Sequence, residues 1–360
     1  MAGVVGGVFG LYQLHNSATR TRLTRIDTRT KRESERNERF VRAAELLKDE
    51  DASVRMAGIY ALERLALETD AKYSQTVIKV LSGFVRERTT RRGNAPTQSK
   101  PIYKTNETLE KYRSRFNAWL SEQEAPTEPI TAAVRALGVI WREENDRESE
   151  NIKKRVFDPK YDGRLTVITF EKAILTKLEA TNIDLNECNF HFAALEGAKL
   201  SHAGLEKAYL EEAHLERADL EYANLNDARL WNVNLQDAYL SAADLENAYL
   251  VEARLQGANL TRAHLRKAKL GLAKMQGAIL AHANLEGASL THARLEGANL
   301  ESANLTNVRN LTKEQLEAAV WPIGAPPTLP EGFNAADFDK EPYTNQNNPE
   351  RLKPRHEWPE

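Results

Sequence analysis

From residue 170 to residue 305 an apolar side chain returns at every fifth position. Leu195, Leu200 and Leu205 begin a run that continues to Leu305, with Met275 its only change. The register extends back through Phe190, Leu185 and Leu175 to Phe170, with Ala180 as its weakest member. Two residues before each of these stands a small side chain, from Ala193 to Ala303, interrupted only by Val233. Cys188, Ile183 and Leu178 hold that place earlier. The run comprises 28 units without an insertion. On a helix, five steps of about 100° advance each leucine by about 140°, so the leucines would spiral and leave no buried stripe. On an unbroken strand, five steps reverse the face. The pattern is satisfied if each unit is a short extended piece followed by a turn, because Leu and the Ala two before it then share a side. Turning the same way after every unit winds a coil with the leucines inside, a β-solenoid.

If four units close a coil, residues 20 apart stack. Glu196, Glu216, Gln236, Gln256, Gln276 and Glu296 form one such column, and Gly197, Gly257, Gly277 and Gly297 share the next. Glycine there supplies the positive φ of a type II turn. Clean copies of a motif A(D/N)LXX stand at Ala218-Asp219-Leu220, Ala223-Asn224-Leu225, Ala243-Asp244-Leu245, Ala258-Asn259-Leu260, Ala283-Asn284-Leu285, Ala298-Asn299-Leu300 and Ala303-Asn304-Leu305. This run resembles the pentapeptide-repeat family. The resemblance implies a mainly β fold, a right-handed quadrilateral β-helix with four units per coil. Seven coils stacked at about 4.8 Å make a rod about 34 Å long. Tyr209, His214, Arg229 and Lys269 replace Asp/Asn at the middle place of their units, a place expected to face solvent.

Composition divides the chain into five stretches. Residues 1–14 are apolar and glycine-rich, and 17–88 hold a basic run and a helical bundle. Residues 89–165 hold a linker and further helices, 166–310 the repeat, and 311–360 a capping helix and Pro-rich tail. Helical stripes are expected at Phe40, Ala43, Ala44 and Leu47, at Val54, Ala57, Ala61, Leu62 and Leu65, and at Val77, Leu81, Phe84 and Val85. Two more helices are expected near 107–122 and 130–144. Val54–Leu65 resembles one HEAT-like helical repeat. Gly58–Arg64 followed by Phe84–Glu87 resembles the helical segment before the repeats of many bacterial membrane-associated pentapeptide-repeat proteins. Thr312 and Gln315 fit a capping box, opening a helix that closes the solenoid.

Lys+Arg number 50 and Asp+Glu 52, a net charge of -2, which argues against a simple basic nucleic-acid binder. One cysteine excludes an internal disulfide framework and a multi-Cys zinc site. No P-loop, dinucleotide fingerprint, H-E-x-x-H or G-x-S-x-G stretch occurs. A solenoid packed with leucine offers no cleft, so the chain reads as non-enzymatic, with no catalytic residue, metal or cofactor. Its histidines read as single exposed residues, and Cys188 as inert core.

Residues 2–12 carry small-xxx-small spacings at Gly3/Gly7 and Gly6/Gly10, and Arg20, Arg22, Arg25 and Arg29 come next. One reading is the end of a membrane helix beginning upstream of Met1, with the basic run holding the rest of the chain at the cytoplasmic face and contacting anionic lipid. The other is a frayed terminus before a solvated helix. The repeat is split in charge. Residues 196–252 hold 12 acidic and 4 basic side chains, and 253–300 hold 2 acidic and 7 basic. Some family members mimic DNA with a continuously acidic rod and bind DNA gyrase, a pattern this basic half breaks. Tyr209, Arg229, Tyr249 and Lys269 form one stacking column, with Trp231 and Val251 beside it. They are either interface anchors or a self-satisfied cation–π ladder. The expected function is a scaffold or protein-interaction module at the cytoplasmic membrane face. Its partner is an unidentified protein and direct nucleic-acid binding is not expected. The alternative is a soluble, DNA-mimicking modulator of gyrase or another nucleic-acid enzyme.

Overall fold

The computed structural model describes residues 24, 26–68, 71–89, 125–154, 168–322 and 324–338. The apolar segment 1–14, the linker beyond Thr89, the helix expected near 107–122 and the tail beyond Phe338 lie outside them. The chain forms two compact units, Met1–Ser74 and Gln75–Glu360.

In the first unit, α1 (26–46) is followed by α2 (Ala52–Glu68). Asp51 opens α2, its carboxylate accepting from the Ser53 N–H at 2.6 Å and the Val54 N–H at 3.3 Å. These satisfy donors that the first helical turn leaves free, and they hold the Asp51 carboxyl below its usual range. The buried stripe of α2 is Gly58, Ile59, Leu62, Leu65 and Ala66, whereas Ala57 and Ala61 are exposed. The expected stripe is therefore rotated. Gly58 is the reason: a Cβ there would lie 2.8 Å from the Ala43 carbonyl and 2.9 Å from Leu46 Cβ, so its face is the one that meets α1.

Helix α3 (Ala71–Thr89) contains the division between the units, and its expected stripe Val77, Leu81, Phe84 and Val85 is buried. Helix α4 (Glu128–Lys154) outruns the expected 130–144 at both ends. It packs on the opening of the solenoid. A Cβ on Gly138 would lie 2.6 Å from the Asp184 carbonyl and 2.7 Å from Ile183 Cγ1, and the Arg135 guanidinium donates to the Glu179 carbonyl at 3.1 Å. The end of α3 also meets it, the Ile174 N–H donating to the Thr89 carbonyl at 3.3 Å.

The solenoid runs from 168. Parallel bridges join Thr169 to Asn189, Asn189 to Tyr209, and so on as far as Arg309, each 20 residues apart, in four columns. Four units therefore close each coil. The extended pieces are shorter than expected: among the described residues each unit contributes one isolated bridge residue and no strand. A five-residue unit that spends two residues on a turn has no room for more.

Every corner places its second turn residue at positive φ, from 50° at Asn232 to 69° at Gly297. Most of these residues are not glycine; Lys207, Asp227 and His292 are examples. An L-residue there costs about 1–2 kcal/mol. Backbone bonds to the next coil offset it, as where the Lys207 N–H donates to the Asn226 carbonyl at 2.8 Å.

The interior is a continuous stack of Leu and Ala, nearly all fully buried, with Phe170 and Phe190 stacked at 4.9 Å in the first coils. The middle residue of a unit does not always face solvent, as the sequence suggested: Asp219, Asn234, Tyr239 and Asn299 are buried. The structure explains the Asp/Asn preference differently. Oδ1 of this residue accepts from the N–H two residues on, as Asn189 does from His191 (2.9 Å), Asn299 from Glu301 (2.9 Å) and Asn304 from Thr306 (3.0 Å). Each is an Asx turn that directs the chain around the corner.

At the far end, α5 (Lys313–Ala318) carries the expected capping box. Thr312 Oγ1 accepts from the Gln315 N–H at 3.3 Å, and Gln315 Oε1 accepts from the Thr312 N–H at 2.8 Å. The Gln315 amide also donates to the Leu290 and Ala293 carbonyls, which binds the helix to the last coils. Val320 and Thr328 bridge to Asn299 and Asn304, extending the coil with part of the Pro-rich segment, and Trp321 packs edge-on against Phe338 at 5.7 Å. These contacts cover an end that would otherwise expose strand edges and core.

Candidate interaction surface

The repeat register brings Tyr209, Arg229, Tyr249 and Lys269 into one bridged column. They pair two by two. The Arg229 guanidinium lies 4.7 Å from the Tyr209 ring centroid, and the Lys269 ammonium 3.7 Å from that of Tyr249. Such pairs contribute about 0.5–1 kcal/mol each when exposed. The column thus holds two separate cation–π pairs, and Tyr249 and Trp231 each remain 43% exposed, with Val251 half-buried. Beside Tyr249 lies an open depression of about 440 Å³, lined by Tyr249, Lys267, Lys269, Arg309, Asp227 and Asn247.

On the adjoining corner the Asn232 N–H bonds the Val251 carbonyl and the Glu252 N–H bonds the Gly271 carbonyl, so Trp231, Val251 and Leu272 stand on successive coils, with the exposed Glu252 among them. Leu272 is 50% exposed.

A second cluster adds His214 to the Glu/Gln column that the 20-residue spacing indicated. The corner column of Thr176, Glu196, Glu216 and Gln236 is buried. Thr176 Oγ1 donates to Glu196 Oε2 at 3.1 Å, and the Asn234 amide donates to Glu216 Oε1. His214 Nδ1 lies 3.9 Å from Glu216 Oε1, so this histidine is not the isolated surface residue expected. Ligand atoms of Glu196, His214 and Glu216 all fall within 4.8 Å of one another, making these the described residues able to hold a cation. The signal was present: a Glu/Gln column at 20-residue spacing with a histidine two places before Glu216.

Cys188 is buried in the core, and burial raises its thiol well above the usual range, with Asp184 and Glu187 adding to the shift. Of the residues expected to touch a membrane, Gly3, Gly7, Gly10, Arg20, Arg22 and Arg25 lie outside the described residues, whereas Arg29 is exposed on α1. Among the described residues no helix is long and apolar enough to cross a membrane.

The pentapeptide-repeat family, described as pentapeptide repeats, matches in eight copies over residues 168–201, 198–237, 238–277 and 268–307. The chain belongs to this family, whose members are structural or interaction proteins. Among solved structures it is similar to the pentapeptide repeat protein Rfr23 from the cyanobacterium Cyanothece 51142 (35% identity, TM-score 0.24), covering 24% of this chain and 58% of that one. It is similar to alr5209, a pentapeptide repeat protein from Nostoc PCC 7120 (34% identity, TM-score 0.24), covering 33% of this chain and 79% of that one. It is also similar to QnrB1, a plasmid-mediated fluoroquinolone resistance protein (19% identity, TM-score 0.28), covering 43% of this chain and 85% of that one. The chain thus spans little more than half of Rfr23. No curated protein matches it.

Proposed function

We propose that this chain is a non-enzymatic scaffold whose β-helix presents the face of Tyr209, Arg229, Trp231, Tyr249, Val251 and Lys269 to a protein partner. The observation that carries this reading is the pair of large aromatics, Trp231 and Tyr249, each 43% exposed on a backbone fixed by bridges every 20 residues. Aromatic and Arg side chains dominate binding energy where they meet a partner. Replacing Tyr209, Trp231 and Tyr249 with Ser abolishes capture of the partner and leaves the circular dichroism spectrum unchanged. Unchanged capture would refute the assignment.

The scaffold works at the inner face of the cytoplasmic membrane. The support for this is the apolar run 2–12 followed by Arg20, Arg22, Arg25 and Arg29, which suits an anionic surface. Membranes of the native host, washed with high salt and then carbonate, test this. Retention through both washes means an integral anchor, release by salt a peripheral basic contact, and a wholly soluble protein ends the membrane reading. The split in charge gives gyrase mimicry no support, because a mimic of DNA needs a continuous acidic face.

A further inference from the structure

The corner before the Tyr209–Lys269 column carries Lys207, Asp227, Asn247, Lys267, Gly287 and Asn307 as its second turn residues in successive coils. All six stand at positive φ, and the column accepts Lys, Asp and Asn there at 54–59°. The backbone at 287, with a φ of 69°, lies in the same left-handed region and does not demand glycine. Space does not demand it either, since a Cβ on Gly287 would meet Lys267 Cγ at 3.6 Å, an ordinary contact. What the missing side chain does is leave a floor for the open depression of about 440 Å³ beside Tyr249.

Three cations surround that floor. Lys267 and Lys269 stand one coil before it and Arg309 one coil after it, in an order fixed by the Lys269–Ser289 and Ser289–Arg309 bridges. Coils are about 4.8 Å apart, so the lysines and the arginine flank the Gly287 level from opposite sides within reach of their side chains. All three are exposed, and among the described residues none has an ion-pair partner. Lys269 lies over the Tyr249 ring, but an ammonium has three donors and that contact does not saturate it. The nearby acids do not cancel the charge. Glu286, next to Gly287, is paired with Arg266 at 3.5 Å. Asp227 lines the far end, three coils and about 14 Å before Gly287, where it and Lys207 attract each other. Glu246 belongs to the coil of Asn247, two before the floor, and does not line the depression.

We propose that the depression over Gly287 binds a phosphate-class dianion, held between Lys267 and Lys269 on one side and Arg309 on the other. The guanidinium donates two parallel bonds to phosphate oxygens, and the lysines add charge and single donors. Recognition is by side chains, because the Gly287 N–H is already given to the Thr306 carbonyl at 2.9 Å. The site shares Tyr249 and Lys269 with the face proposed for the protein partner, but it needs no partner in order to bind.

Isothermal titration of the full chain with inorganic phosphate, at neutral pH and constant ionic strength, tests this. The wild type binds one phosphate saturably, and phosphate raises its melting temperature. Gly287→Asn fills the floor with a residue that the column already accepts at Asn247 and Asn307, and it abolishes binding with the circular dichroism spectrum unchanged. Lys267→Ser/Arg309→Ser weakens binding by about tenfold or more. Arg254→Ser/Lys274→Ser removes as many positive charges from the next bridged column, outside the depression, and leaves the affinity unchanged. A wild type without saturable binding overturns the inference. So does a Gly287→Asn variant that binds like the wild type, or a loss from Arg254→Ser/Lys274→Ser as large as that from the site variant. A phosphoserine peptide titrated in the same way separates the sources. Tighter binding than inorganic phosphate assigns the site to a phosphorylated protein, and weaker binding assigns it to the free ion. If phosphate fails to bind while partner capture still requires Trp231 and Tyr249, the anion site is refuted and the scaffold reading stands. If phosphate binds as described while capture is indifferent to Tyr209, Trp231 and Tyr249, the scaffold reading fails instead.

Discussion

Leu245 sits in the middle of the solenoid and is 1% exposed. Its N–H bonds the His264 carbonyl at 2.7 Å, and the coil before it is tied to its own by the Leu225 N–H on the Asp244 carbonyl at 2.6 Å. Replacing Leu245 with Ala removes three carbon atoms from the interior. Transfer alone accounts for about 2.4 kcal/mol at about 0.8 kcal/mol per methylene. The residual cavity adds to this, in proportion to how little the surroundings relax. Here the backbone is held by bridges one coil away on either side, so the wall cannot collapse inward. The expected loss is about 3–4 kcal/mol, in the upper part of the range for buried leucines. Urea denaturation monitored by far-UV circular dichroism measures it as a lower midpoint at unchanged slope. The solvent-side replacement Ser241→Ala, four residues away, should cost less than about 0.5 kcal/mol. A Leu245→Ala loss below about 1 kcal/mol would show that the leucine column is not a rigid packed core. Leu245→Lys goes further, burying an unpaired charge and unfolding the rod.

Gly138→Val should detach α4 from the first coils, since even a Cβ meets the Asp184 carbonyl at 2.6 Å; hydrogen exchange would rise at Ile183 and Asp184 while the coils beyond Leu200 stay protected. Gln315→Ala removes half of the capping box and both bonds to the last coils, and should cost about 1–3 kcal/mol with early fraying at the C-terminal end of the solenoid. Cys188 should resist alkylation in the folded protein at mildly alkaline pH, because its raised thiol stays protonated and enclosed, and should react as soon as urea unfolds the coil. Rapid labelling of the native chain would contradict the packing described.

The period of five carried the solenoid, its four-unit coil and the identity of its core, because both the stacking and the interior depend on one residue type at one spacing. The capping box at Thr312 and Gln315 was equally plain, since its two bonds are local. The features that the sequence concealed depend on three-dimensional neighbours. The rotation of the α2 stripe comes from how closely Gly58 meets α1, which a helical wheel does not contain. The Asx turns gave the Asp/Asn preference a cause that the periodicity alone did not suggest. At the surface, the column of Tyr209, Arg229, Tyr249 and Lys269 came directly from register, but its pairing into two cation–π contacts required side-chain directions. The stacking of Glu196 on Glu216 followed from register, but the approach of His214 to both depends on side-chain directions around the corner.

If the proposed scaffold is right, one face of the β-helix, and not its surface at large, makes the partner contact. Tyr222 provides the comparison: it is 58% exposed and stacks on His202 at 4.9 Å, on another corner of the same coils. Quantitative capture from the native host, using the wild type, the Trp231→Ser/Tyr249→Ser variant and a Tyr222→Ser variant, separates the two faces. The expected result is loss of the partner from the first variant and full retention by the second. Equal retention by both, or equal loss from both, would contradict it.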